Sequence, residues 1–263
     1  MNTTDAFRQL HQEGLFVMPN PWDVGSAKYL EWRGFPALAT TSSGFAATLG
    51  RLDQQVGRDE LLDHVQSMTA ALTIPLSVDA ERCFADTADG VVETVRLLAE
   101  AGAAGLSIED YNPTTATIEP LAVATERVAA AAEEAGRHGL VLTARTENHL
   151  YGVDDLDDTV ARLVAYRDAG AEVVFAPGLL TASGIGRIVD EVGVAVNVLP
   201  SPSGPSTGEL ANAGVRRVST GGALAWAAYG ALGRAADELL TAGTSTYGND
   251  ALAASDRDEV FGS

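Results

Sequence analysis

What confines this chain to a small set of folds is an alternation. Short apolar, β-branched segments recur between longer stretches with helical spacing along almost its whole length. The short segments fall at residues 15–18, 37–40, 76–79, 105–109, 141–145, 172–176, 194–199 and 215–219. Amphipathic stretches lie between them at 60–72, 88–101, 119–135 and 156–169. Three crossovers close on Ala101-Gly102-Ala103, Ala169-Gly170-Ala171 and Ala213-Gly214-Val215. A glycine just past a helix end supplies the left-handed stop and leads directly into the next strand. Strands joined by helical crossovers must run parallel, so eight such units predict a closed (β/α)8 TIM barrel. An open doubly wound sheet would carry a glycine-rich phosphate loop after its first strand. Here the first strand leads into Pro19-Asn20-Pro21-Trp22-Asp23 instead. The expected organisation is one barrel domain over residues 1–240, followed by a tail over 241–263 that packs on the barrel or on a neighbouring subunit.

The length of 263 residues suits that reading, since such barrels typically use about 250. The formal charge is −19, with 36 acidic against 17 basic residues. Such a surface repels nucleic acid and anionic membranes, so neither is expected as a partner. No stretch approaches the roughly 20 consecutive apolar residues of a membrane span, and the first fifteen residues lack the pattern of a signal peptide. With one cysteine, Cys83, no intrachain disulfide can form, which fits a cytoplasmic location. Lys28 is the single lysine and lies in an early helical pattern rather than at a strand end, which argues against Schiff-base chemistry.

In this fold, polar residues at the C-terminal ends of strands are candidates for chemistry. Thr40-Thr41-Ser42-Ser43-Gly44 follows the second strand, a run of small residues able to offer backbone N–H groups to an anion. The third strand ends Val78-Asp79-Ala80-Glu81, the fourth Ile108-Glu109-Asp110 and the fifth Ala144-Arg145-Thr146-Glu147; the seventh carries Asn197. Acidic residues meeting at one barrel mouth repel unless something positive lies among them. Asp79, Glu81 and Glu109 are hard oxygen donors suited to Mg²⁺ or Mn²⁺ held partly through water. Any one of them taken alone could equally cap a helix. The guanidinium of Arg145 can grip a carboxylate bidentately, and an internal salt bridge to Glu109 or Glu147 is compatible with that role. Cys83 lies near the expected metal, and a lone cysteine is more often a small buried hydrophobe than a nucleophile. His149 is read as structural, and Trp22 and Phe45 as either pocket or packing residues.

The ordered set of these motifs resembles the isocitrate lyase/phosphoenolpyruvate mutase superfamily, from about Phe16 to Gly221-Gly222. The pieces that carry the likeness are the run Asn20-Pro21-Trp22-Asp23-Val24-Gly25-Ser26-Ala27, the small-residue segment to Leu49-Gly50, Asp53 and Asp79-Ala80-Glu81. Gly105-Leu106-Ser107-Ile108-Glu109-Asp110, Ala144-Arg145-Thr146-Glu147 and Asn197-Val198-Leu199 complete it. The resemblance implies Mg²⁺ held mainly at Asp79, with Glu81 and Glu109 contacting its waters. It implies that Ser43 and Gly44, with Phe45 and Asn197 beside them, receive a small anionic 2-oxo acid that Arg145 also binds, while Asp53 approaches the reacting bond. It also implies a last helix exchanged between subunits of a homodimer or homotetramer, to which the apolar run over 223–232 and Leu239-Leu240 would correspond.

Departures from the family pattern narrow the chemistry. No Lys-Lys-Cys-Gly-His-type loop is present, and Tyr111-Asn112-Pro113-Thr114-Thr115-Ala116-Thr117 lacks the lysine and Asn-Ser pattern of phosphoenolpyruvate mutases. A Gly-aromatic-Gly turn is usual after the position of Glu81; here it reads Cys83-Phe84-Ala85. The expected function is a Mg²⁺-dependent carbon–carbon lyase or decarboxylase acting on a small 2-oxo or 2-hydroxy dicarboxylate through an enolate. Phosphoenolpyruvate mutase or phosphonopyruvate hydrolase chemistry is the alternative, and a non-catalytic metabolite-binding barrel the third reading.

Overall fold

Successive side chains of a strand face opposite sides, and this chain uses the two sides differently. In the computed structural model, which describes residues 2–262, the even-numbered residues Val78, Leu106, Ile108, Leu142, Val174, Val196 and Val218 point outward into the main apolar core beneath the helices. The odd-numbered Ser77, Asp79, Ser107, Arg145, Asn197, Arg217 and Ser219 line the interior. Met1 and Ser263, the extreme ends of the expected barrel and tail, lie outside the described residues.

Eight parallel strands form the barrel: β1 (Phe16–Met18), β2 (Leu38–Ala39), β3 (Leu76–Asp79), β4 (Gly105–Glu109), β7 (Val141–Arg145), β8 (Val173–Phe175), β9 (Ala195–Val198) and β10 (Arg217–Ser219). They pair in the order β1-β10-β9-β8-β7-β4-β3-β2. The seam between β1 and β2 is bridged by Ala39 N donating to Pro19 O at 3.1 Å and by Asn20 Nδ2 donating to Thr40 O at 2.7 Å. The expected (β/α)8 architecture is therefore the one observed, with each strand within its predicted segment. An added feature is a small antiparallel hairpin, β5 (Tyr111–Asn112) with β6 (Thr117–Ile118), which follows β4 directly.

The N-terminal end of the barrel is closed by the helix Thr3–Leu10, capped by the Asn2 side chain, which accepts from Asp5 N at 2.7 Å. Its fully buried Phe7 meets the His11 ring edge-on at 4.8 Å, and His11 meets Phe16 at 5.0 Å. The strands' C-terminal ends, with their polar side chains, lie at the opposite end. After the barrel, the helix Ala254–Phe261 packs against the helix Val24–Trp32 of the same chain. Among the described residues no helix is long and apolar enough to cross a membrane.

Candidate active site

Parallel registry decides which side chains meet at the open end. Asp79 stands opposite Ser107, and Glu109 opposite Arg145. From that register Arg145 reaches three carboxylates. Its Nη1 donates to Asp79 Oδ1 at 2.9 Å, its Nε to Glu147 Oε1 at 2.9 Å, and its Nη2 lies 3.3 Å from Glu109 Oε2. The guanidinium also sits 5.3 Å from the centre of the Phe175 ring. Burial opposes its charge, but Glu147, Asp79 and Glu109 outweigh that and hold its pKa above the ordinary value. The salt-bridge role foreseen for Arg145 is thus present, extended to Asp79.

The carboxylates around it are too many for one cation. Glu81 is 5% exposed, and burial first, then the charges of Asp79 and Asp53, push its carboxyl up to about 8. Glu109 is raised well above its ordinary value by burial, with Glu147, Asp79 and Glu81 adding to the effect and Arg145 opposing it. Asp53 sits at the rim on the loop after the helix Ser42–Thr48. Its carboxyl is raised by desolvation and by Asp79, and lowered by Ser42 and Arg145. The buried Glu81 and Glu109 are thus held above the ordinary carboxylate range, and their donor atoms are hard oxygens. Among the described residues, no three His, Cys, Asp or Glu side chains converge into an all-protein cage. The expected set Asp79, Glu81 and Glu109 is therefore not assembled as a direct three-ligand cage. Asp79 lines the cavity, where Ser107 Oγ and Ser42 N each lie 3.3 Å from its oxygens.

The cavity itself measures about 180 Å³ and is lined by Asp53, Asp79, Ser43, Arg145 and Asn197 among others. Thr41 caps the helix Ser42–Thr48, and its Oγ1 accepts the Gly44 N–H at 3.3 Å. A β-carbon on Gly44 would lie 2.5 Å from Thr41 Cγ2 and 3.1 Å from Trp22 Cβ, so only glycine lets this turn close against Trp22. Trp22 accordingly packs behind the turn. Phe45 faces away from the cavity and stacks on His64, with ring centres 3.8 Å apart. Of the expected substrate-binding residues, Ser43, Arg145 and Asn197 are among those lining the cavity, and Gly44 and Phe45 are not. Asn197 is engaged on both sides, donating to Ser219 Oγ at 2.8 Å and accepting from Arg217 Nε at 2.9 Å.

The turn after β3 keeps a glycine-like path without glycine. Glu81, Cys83 and Phe84 have φ of 48°, 60° and 53°, a region that costs an ordinary residue about 1–2 kcal/mol. Two backbone bonds and one from a side chain hold it there: Cys83 N donates to Ala80 O at 2.7 Å, Glu109 N to Glu81 O at 3.0 Å, and the Thr94 hydroxyl Oγ1 to Cys83 O at 2.8 Å. The Cys83 thiol is fully buried and pushed up to about 12, mainly by burial, which removes it as a nucleophile. Asp110 is a buttress rather than a ligand, accepting from Tyr166 Oη at 2.6 Å and Glu147 N at 2.8 Å. His149 faces Thr159 Oγ1 at 3.1 Å, as a structural residue would.

Glu147, named from the sequence as a possible partner of Arg145, completes the grip on it. Three further participants were not singled out from the sequence: Gln54, whose Nε2 donates to Glu109 Oε1 at 2.9 Å, Tyr151 and Arg217. Tyr151 stacks on Tyr111 of the hairpin, 3.6 Å between ring centres. Arg217 lines the cavity from β10. Only Arg217 carried a readable signal: it shares the inward parity of Ser219 within a predicted strand.

The chain is similar over most of its length to proteins of one family. Residues 7–240 match the family model described as phosphoenolpyruvate phosphomutase. A 2-methylisocitrate lyase of Salmonella typhimurium is 30% identical over 90% of this chain and 83% of its own. An oxaloacetate decarboxylase of Bradyrhizobium sp. (strain ORS 278) is 30% identical over 80% of this chain and 73% of its own. A crystal structure from Burkholderia cenocepacia J2315, provisionally described as a lyase/mutase, is 47% identical with a TM-score of 0.95, covering 99% of this chain and 96% of the other.

Proposed function

This chain belongs to the phosphoenolpyruvate phosphomutase family, within the isocitrate lyase/phosphoenolpyruvate mutase superfamily, and from that premise we propose a divalent-metal-dependent carbon–carbon lyase or decarboxylase acting on a small 2-oxo or 2-hydroxy dicarboxylate. The observation that carries the reading is the surplus of buried carboxylates around Asp79 and Arg145 at the mouth of a small cavity. The likeness to a lyase and a decarboxylase over most of the chain supports it. Phosphorus–carbon chemistry finds less support, because the segment after Asp110 forms a tight hairpin without a lysine.

Asp79 would hold Mg²⁺ or Mn²⁺ directly, with Glu81 and Glu109 on its waters. When bound, the ion supplies positive charge against the enolate that develops as the neighbouring bond breaks. The side chains of the chain do the remaining work. Arg145, fixed by three carboxylates, presents a rigid guanidinium edge to the substrate carboxylate, and Ser43 adds a hydroxyl at the mouth. Asp53, with its raised carboxyl at the rim, carries the proton. In a lyase it takes the proton from the substrate hydroxyl as the carbon–carbon bond opens. In a decarboxylase it returns a proton to the enolate carbon after CO₂ leaves. The test is pyruvate release from oxaloacetate, alkylmalates and phosphonopyruvate with Mg²⁺, each measured against an enzyme-free blank. Turnover of a carbon substrate that disappears with a chelator is expected. Undiminished turnover in metal-free protein, or turnover of phosphonopyruvate alone, would overturn the reading.

A further inference from the structure

Beneath the carboxylates lies a cation that the mechanism above does not use. Arg217 is 2% exposed and lines the same cavity as Asp79. Its guanidinium is held by neutral groups: Nε donates to Asn197 Oδ1 at 2.9 Å and Nη2 to Thr143 Oγ1 at 2.8 Å, and Nη1 lies 3.2 Å from His11 Nε2. His11 serves as an acceptor there. Its Nδ1 is 2.9 Å from Phe7 O and so carries the proton, and burial, then Arg217, depress its pKa to about 3. No carboxylate pairs with Arg217 among the described residues, and burial alone acts on its charge, lowering its pKa to about 9.

Thr143 precedes Arg145 by two residues on β7, and Ser77 precedes Asp79 by two on β3, so each lies one layer deeper on the same inward face. The cavity wall includes Ser77 and Met18 as well as Asp79 and Arg145, so the space extends from the upper layer into the lower one. A guanidinium has five N–H donors. Three are engaged, leaving one on each Nη. A methionine would fill much the same volume without an unpaired charge, and a buried unpaired charge is costly. Charge kept at that position calls for an anion.

We propose that Arg217 is the second anion-binding position of the site: it takes the distal carboxylate of the substrate in the lower layer and selects dicarboxylates over monocarboxylates. This rests on the functional reading above, which places a 2-oxo or 2-hydroxy acid head at the upper layer. Arg217 acts in binding and specificity, not on the reacting bond.

Calorimetry with Mg²⁺ tests it, comparing racemic malate with racemic lactate, a 2-hydroxy acid that lacks the distal carboxylate. The wild-type protein is expected to prefer malate by at least about tenfold. Arg217→Met should weaken malate by about 10- to 100-fold, the size of a lost charge-assisted hydrogen bond, while lactate is unchanged. Arg217→Lys should keep part of the malate affinity. Equal wild-type affinities for the two acids overturn the proposal without any variant, which also covers the case in which Arg217→Met fails to fold. An equal fall for both acids marks a structural role and overturns it too. A wild-type protein that binds neither acid overturns the functional reading along with it, so the two failures are distinguishable.

Discussion

At the residue scale, Asp53 and Arg145 share one cavity but should fail differently. Arg145 holds its charge partners in every state, so Arg145→Lys, which loses the planar fork over Glu147 and Asp79, should raise KM strongly and also lower kcat. Asp53 is needed only when a proton moves, so Asp53→Ala should reduce kcat by at least about 10²-fold while oxalate and Mg²⁺ still bind. Steady-state kinetics with oxalate calorimetry on both variants separates the two roles, and near-normal turnover in Asp53→Ala would make that residue a mere rim group. Glu81 gives a second residue-scale prediction. Its folded pKa of about 8 exceeds the ordinary 4.5, so its protonated form contributes stability that is fully present below 4.5 and is lost as pH rises through 8. Mg²⁺ must displace that proton. The rise in Tm on adding Mg²⁺ should therefore be larger at about pH 8 than at about pH 5.5, and it should shrink in Asp79→Asn. Equal rises at both pH values would remove Glu81 from the metal site.

Among the elements, the helix Thr3–Leu10 does the most with the least. Eight residues close one end of the barrel through Phe7, and the same helix leads into His11, which positions Arg217. Truncating a fully buried aromatic costs about 3–5 kcal/mol, so Phe7→Ala should lose that much in urea unfolding. A loss under 1 kcal/mol would show that the floor is sealed by other means. The turn after β3 makes the opposite trade. It accepts left-handed φ at Glu81, Cys83 and Phe84, and the bonds from Cys83 N, Glu109 N and Thr94 Oγ1 keep Glu81 at the site despite the missing glycines. Strain of this kind persists where the surrounding structure over-determines the backbone.

For the whole molecule, the informative element is the helix Ala223–Thr241. Of its 19 residues only Ala225 is buried, while Trp226 is 52% exposed, Leu232 64% and Leu240 85%. An apolar helix this bare has not found its packing partner within one chain. We expect a homodimer or homotetramer in which a second copy covers it, consistent with an exchanged helix. Light scattering at micromolar concentration checks this, and a monomer would refute it. Leu232→Arg or Leu232→Glu should shift the assembly toward monomer.

The periodicity of the sequence by itself determined the barrel, because parallel strands joined by helices leave few ways to bury both faces, and it located each strand. It also brought Asp79, Glu109 and Arg145 to strand ends, where a β-strand's two-residue period makes inward direction readable. What it could not decide were relations between strands far apart in the chain. That Arg145 reaches Asp79 on β3 as well as the partners named for it depends on the register of β3, β4 and β7, and that Asp110 turns to Tyr166 depends on a helix 56 residues away. Gly44 and Phe45 show the same limit: both lie in the helix Ser42–Thr48, where Gly44 N is engaged by the Thr41 cap and Phe45 stacks on His64, and neither is among the residues lining the cavity. Whether Cys83 was reactive likewise depended on burial, which only packing sets. The charge of Arg217 was visible in the sequence. Its lack of a carboxylate partner was not, because that property belongs to its surroundings in three dimensions.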